Sequence, residues 1–192
     1  MERTPKGNEV LDFDPRNLPQ EHLAAIGLMS AAASHTDSIV EMAIAGMLGI
    51  DGEQGWAVTA HMSAPLRTSV LKSAAEIVID DGNALDVLDD IMNDIKTAAE
   101  ARNDMIHGSW AFRQSDKAVL LIQQSARTHV EATLIPVTVN EIKRKALTLY
   151  EAGLSLMEFI IEAKKVPPLP RERNRGDNAP KARKARRKNN GK

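Results

Sequence analysis

The chain has 192 residues, enough for one domain with its own core, and a formal charge of −1 that hides a divided molecule. Residues 171–192 carry ten Lys/Arg against Glu172 and Asp177, a net of +8, which leaves −9 on residues 1–170. With no cysteine, disulfides and thiolate metal sites are excluded, and nothing argues for an oxidising compartment.

Residues 1–17 are polar, contain two prolines and lack the apolar run of a signal peptide, so they read as a flexible arm. Pro19 suits the first position of a helix, which is expected to run to about Leu48, where Gly49 and Gly52 end it. Its first half holds the small residues Ala24, Ala25, Gly27, Ser30, Ala31, Ala32, Ala33 and Ser34, which permit close helix approach. Its second half holds Ile39, Val40, Met42, Ile44, Met47 and Leu48. His35, Asp37 and Glu41 interrupt this apolar region, which argues against a membrane span and for a soluble, cytoplasmic protein.

A short helix over Trp56–Met62 follows the glycine-rich turn. Pro65 opens the next one, with Leu66, Val70, Leu71, Ala74, Ile77 and Val78 as its buried face. Asp80-Asp81-Gly82-Asn83 breaks the chain. The helix expected over Ala84–His107 has a stripe of Leu85, Leu88, Met92, Ile95, Ala99 and Ile106, flanked by Ile91, Ala98 and Met105. Gly108 is placed to end it in the left-handed conformation.

Alternation of period two then marks Trp110 and Phe112, and β-branched residues enrich Ala118–Gln124 and Val130–Val137. Turns at Gln114–Lys117 and Ser125–Thr128 make this an antiparallel meander, whose last strand Pro136 restricts to an edge or an end. Thr138-Val139-Asn140-Glu141 has the spacing of a capping box, opening a helix to about Lys165. Two apolar stripes line it: Ile142, Ala146, Leu149, Gly153, Leu156, Ile160 and Ala163, then Leu147, Tyr150, Leu154, Met157 and Ile161. Together they cover roughly 200° of the helix, about twice what one core face needs, which suggests a homodimer interface. The expected architecture is mainly α: a helical bundle over residues 18–166, with a small β-meander inserted before the last helix. Residues 167–192 form a basic tail with too few hydrophobes to fold alone.

One residue breaks the pattern. Arg102 falls inside the apolar stripe, a turn beyond Ala99 and a turn before Ile106. Desolvating an arginine costs several kcal/mol on the order of magnitude, so it either snorkels out at the helix end or lines a cleft that receives an anion. Asn103 and His107 are four apart and adjacent on a neighbouring face. A guanidinium suits phosphate oxygens, and an imidazole suits proton transfer near neutral pH. The set fits phosphodiester cleavage with no metal and no cofactor.

Arg102-Asn103-Asp104-Met105-Ile106-His107 resembles the arginine-polar-x-x-x-histidine signature of HEPN domains, helical modules typified by metal-independent ribonucleases. The continuation His107-Gly108-Ser109-Trp110 is also similar to bacterial members. The resemblance implies a bundle that dimerises, joining two motifs in one cleft where RNA is cut by attack of its own 2′-hydroxyl. It implies His107 as general base or acid, Arg102 as stabiliser of charge on phosphate, and Asn103 as positioning substrate or His107. Many relatives are toxins or antiviral effectors paired with a neutralising antitoxin, and others bind RNA or nucleotides without cutting. The bland alternative pairs Arg102 with a nearby acid and leaves His107 to cap the helix C-terminus, where a cation is favoured.

Asp86, Asp89, Asp90 and Asp94 lie on the polar face early in their helix, which favours solvation over metal binding. His22, His35, His61 and His129 have no ligand-like spacing, and no glycine-rich phosphate loop or nucleophile elbow is present. Six aromatics are too few for a single-strand stacking platform. Lys181, Arg183, Lys184, Arg186, Arg187 and Lys188 in the tail suit non-specific, salt-sensitive RNA contacts, a solubilising extension, or a tether to the acidic body.

Overall fold

The computed structural model describes residues 10–125 and 131–170. These form α1 (Gln20–Met47), α2 (Gly52–Thr59), α3 (Ala64–Val78), α4 (Gly82–His107) and α5 (Val139–Glu162). Strands β1 (Leu11–Asp12), β2 (Ser109–Arg113), β3 (Ala118–Ser125) and β4 (Glu131–Pro136) make one antiparallel sheet in that order. The molecule is therefore a helical bundle with a small β-meander, as the patterning requires. Among the described residues no helix is long and apolar enough to cross a membrane.

Local chemistry sets most boundaries, with some corrections. Pro19 is the cap residue, not the first helical one: its ψ of 136° is extended, and α1 begins at Gln20. At the other end Gly49 takes φ +65°, and the Ile50 N–H reaches back to the Ala45 carbonyl at 3.0 Å. The second helix starts earlier than expected, because Asp51 and Gln54 form a capping box. Gly55 is thereby helical and packs on α1; a Cβ there would lie 2.5 Å from the Ala45 Cβ. The buried face of α3 is Leu71, Ala74 and Ala75, while Leu66 and Ile77 are exposed. The α5 cap is as the sequence requires, with Glu141 N–H donating to Thr138 Oγ1 and Thr138 N–H donating to Glu141 Oε2.

The bundle is built on α1 and α5, which run parallel. His22 Nε2 meets the Val137 carbonyl at 3.1 Å, and Thr36 Oγ1 donates to the Leu149 carbonyl at 3.0 Å. Further along, Gly46 packs on the Lys165 backbone. Gly153 makes the middle contact possible, since a Cβ there would lie 2.7 Å from Thr36 Oγ1. Helix α4 runs antiparallel to α5. Its Leu88, Met92 and Ile95 join Leu156, Phe159 and Ile160 in one core cluster, and its Ala98 and Met105 join Ile142, Ala146 and Leu149 in another. The sheet closes the second cluster through Leu121, Trp110 and Ile135.

Part of the arm expected to be flexible has a place in this sheet: Leu11 and Asp12 pair with Arg113 and Phe112. Pro136 is the last residue of the edge strand β4, where a missing N–H is tolerated. The expected turn at Ser125–Thr128 lies mostly outside the described residues, as does residues 1–9 of the arm and the tail from residue 171.

Candidate active site

The last two turns of α4 carry Arg102, Asn103 and His107. Arg102 is half-buried, and Asn103 and His107 are exposed. The apolar stripe does not run straight to Ile106. The buried positions are Leu88, Met92, Ile95, Ala98 and Met105, with Ala99 and Ile106 only half-buried. At about 100° per residue, the inward side of α4 turns by roughly 80° toward its C-terminus. Arg102 thus lies at the edge of the core rather than in its middle, which explains how a charge is tolerated there.

Arg102 makes no ion pair among the described residues. Its Nη1 donates to Asn103 Oδ1 at 2.9 Å, and its Nε is buried with no hydrogen-bond partner. An unpartnered buried N–H is costly, on the order of 1–3 kcal/mol, and more for a charged group. The side chain is held by its neighbour, with its Nε enclosed and its Nη1 end at the exposed side of the helix.

His107 ends the helix, and no hydrogen bond to its ring occurs among the described residues. The carbonyls there are met by other donors. The Gly108 N–H bonds Asp104 O at 3.1 Å, and the Trp110 indole Nε1 donates to Met105 O at 2.8 Å. Contrary to the left-handed stop expected there, Gly108 has φ −70° and ψ 154°, which are extended and lead directly into β2. A glycine is needed for space instead, because a Cβ would run into Leu121 of β3 and lie 2.6 Å from Asp104 O. The contact with β3 is tertiary, so a helix-stop rule cannot see it.

Sequence spacing puts Asn103 beside His107, yet the bond Asn103 makes is to Arg102. Residues not singled out from the sequence also lie at this end. Because α4 and α5 are antiparallel, Lys143, Arg144 and Lys145 share it, the first two exposed and the third half-buried. The signal was available as three cations directly after the capping box. Asp86, Asp89, Asp90 and Asp94 are all exposed on α4, and Asp89 pairs with Lys72 at 2.9 Å. Among the described residues no group of three or more His, Asp or Glu is placed to hold a metal ion. Tail residues Lys181, Arg183, Lys184, Arg186, Arg187 and Lys188 lie outside the described residues.

Chemically, the helix end offers a half-buried guanidinium, an amide bonded to it, and an exposed imidazole. Compared with family models, curated proteins and solved structures, the chain matches none.

Proposed function

We propose that the protein is a metal-independent endoribonuclease of the HEPN type, working as a homodimer. The observation that carries this reading is Arg102: a half-buried cation with no acidic partner among the described residues, its Nη1 end held by Asn103, on the same helix end as an exposed histidine. In the proposed reaction His107 takes the proton of a ribose 2′-hydroxyl, whose oxygen attacks the adjacent phosphorus. The bond to the 5′-oxygen breaks, and that leaving oxygen takes a proton from the His107 of the second copy. The products are a 2′,3′-cyclic phosphate and a 5′-hydroxyl end. Arg102 stabilises the charge gathering on the phosphoryl oxygens, and Asn103 holds Arg102.

The dimer has support in the exposed second stripe of α5, where Leu147, Tyr150, Leu154 and Ile161 are 53%, 37%, 36% and 56% accessible. Lys143 and Arg144, exposed at the start of α5, would add cationic charge for RNA at this end of the bundle. A toxin or defence effector, held in check by an antitoxin protein, is the biological setting this activity would fit.

The test is cleavage of single-stranded RNA by the full chain in EDTA. Wild type is expected to cut and leave cyclic phosphate ends, and His107→Ala to lose cutting while remaining dimeric. RNA retained by both forms with no cutting by either would instead identify a non-catalytic RNA- or nucleotide-binding module. Absence of both would leave a structural helical dimer. Equal growth of bacteria expressing wild type, Arg102→Ala and His107→Ala would remove the toxin setting.

A further inference from the structure

Among the described residues the His107 ring has no hydrogen bond, so the backbone beneath it sets where its imidazole lies. That backbone is the last turn of α4, where carbonyls lack intrahelical partners and ends ordinarily fray. Here the turn is tied at two points. The Trp110 Nε1–H donates to Met105 O at 2.8 Å, and the Gly108 N–H holds Asp104 O at 3.1 Å. Trp110 is itself anchored. It pairs with Leu121 across β2 and β3, and it packs half-buried against the core cluster that holds Met105, Leu121, Val137 and Ile142. The meander therefore grips the helix end two residues before the histidine.

We propose that Trp110 is a positioning residue for His107, its indole N–H fixing the last turn of α4 and so the place of the proton-transfer group. The inference rests on the ribonuclease reading above for its catalytic consequence, and on the hydrogen bond alone for its structural one. Gly108 completes the grip, because only a residue without a Cβ lets the turn lie against Leu121. Arg102 lies more than a turn further into α4 than His107, so loosening the last turn displaces the histidine more than the phosphate-binding group. The expected signature is a loss of kcat with little change in KM.

Trp110→Phe keeps an aromatic ring in the cluster and removes only the N–H. In this variant, amide exchange at Gly108 should accelerate about tenfold, as one tertiary hydrogen bond is lost. The His107 Cε1–H resonance should shift or broaden, while the amides of Thr36 and Leu149 keep wild-type protection. RNA cleavage should show kcat lowered on the order of tenfold, or more if the base moves by about an ångström, with KM within about twofold. Gly108→Ala should reproduce these changes through a different lesion.

Wild-type exchange at Gly108 and a wild-type His107 resonance in Trp110→Phe would overturn the proposal. So would a loosened turn with unchanged kcat. A wild-type chain that cut no RNA would sink the ribonuclease reading instead, and the His107 spectrum would then decide whether Trp110 positions it.

Discussion

Arg102 and Asn103 act as a pair: one supplies a permanent charge, and the other holds it through the 2.9 Å bond from Nη1 to Oδ1. Lysine cannot reproduce the planar fork, so Arg102→Lys should lower kcat by roughly 100-fold, the usual scale for one preorganised donor at developing charge. Asn103→Ala leaves the guanidinium present but unheld and should cost about tenfold. Single-turnover cleavage of a short RNA reads both, and the ranking matters more than either value. Away from the site, Gly153→Ala forces a methyl group toward Thr36 Oγ1. Overpacking of this kind should destabilise the fold by about 1–3 kcal/mol, read as a lower urea midpoint. At this scale the sequence was informative about Arg102, because a charge inside a hydrophobic stripe is visible as a break in a period. The bond from Trp110 to Met105 was not, since it depends on how β2 turns back after Gly108.

The elements follow rules of a few residues' range, and α5 illustrates them. Thr138→Ala removes the acceptor for the Glu141 N–H and should cost about 1 kcal/mol. The reciprocal bonds from the Thr138 N–H and hydroxyl hold the Glu141 carboxyl below its ordinary value, with the charges of Arg144 and Lys145 helping less. The direction fixes the pH dependence. A carboxylate favoured in the folded state contributes stability that is fully present above the unfolded value of about 4.3 and is lost as pH falls through the lower folded value. Urea denaturation from pH 7 to pH 3 should therefore show Glu141→Gln less stable than wild type at the upper end, with the gap closing at the acid end. Because Glu141 is exposed, the gap should be small. Capping boxes, glycine breaks and stripes were legible in the sequence for this reason. The rotation of the inward side of α4, and the early start of α2, needed the neighbouring helices.

For the whole molecule the open question is what covers the second stripe of α5. Leu147→Glu combined with Leu154→Glu places two charges on that face without touching Ile142, Leu149 or Leu156 of the core. The expected result is a monomer by sedimentation with an unchanged helical spectrum, and loss of RNA cleavage with loss of the paired site. A dimer that survives both substitutions would direct the interface elsewhere. By itself the sequence determined the helical class, the meander before the last helix, the caps, and the presence of one misplaced arginine beside a histidine. Each of these depends on residues within a turn or two of one another. Only the tertiary structure decided that Arg102 sits at the rim of the core with no acid to meet it among the described residues, that Asn103 bonds the arginine, and that Gly108 is required by Leu121. The place of Arg102 and the need for Gly108 depend on residues packed together from different elements, whose spacing along the chain carries no trace of the contact, while the Arg102–Asn103 bond joins chain neighbours and depends on the rotamers the folded helix end selects.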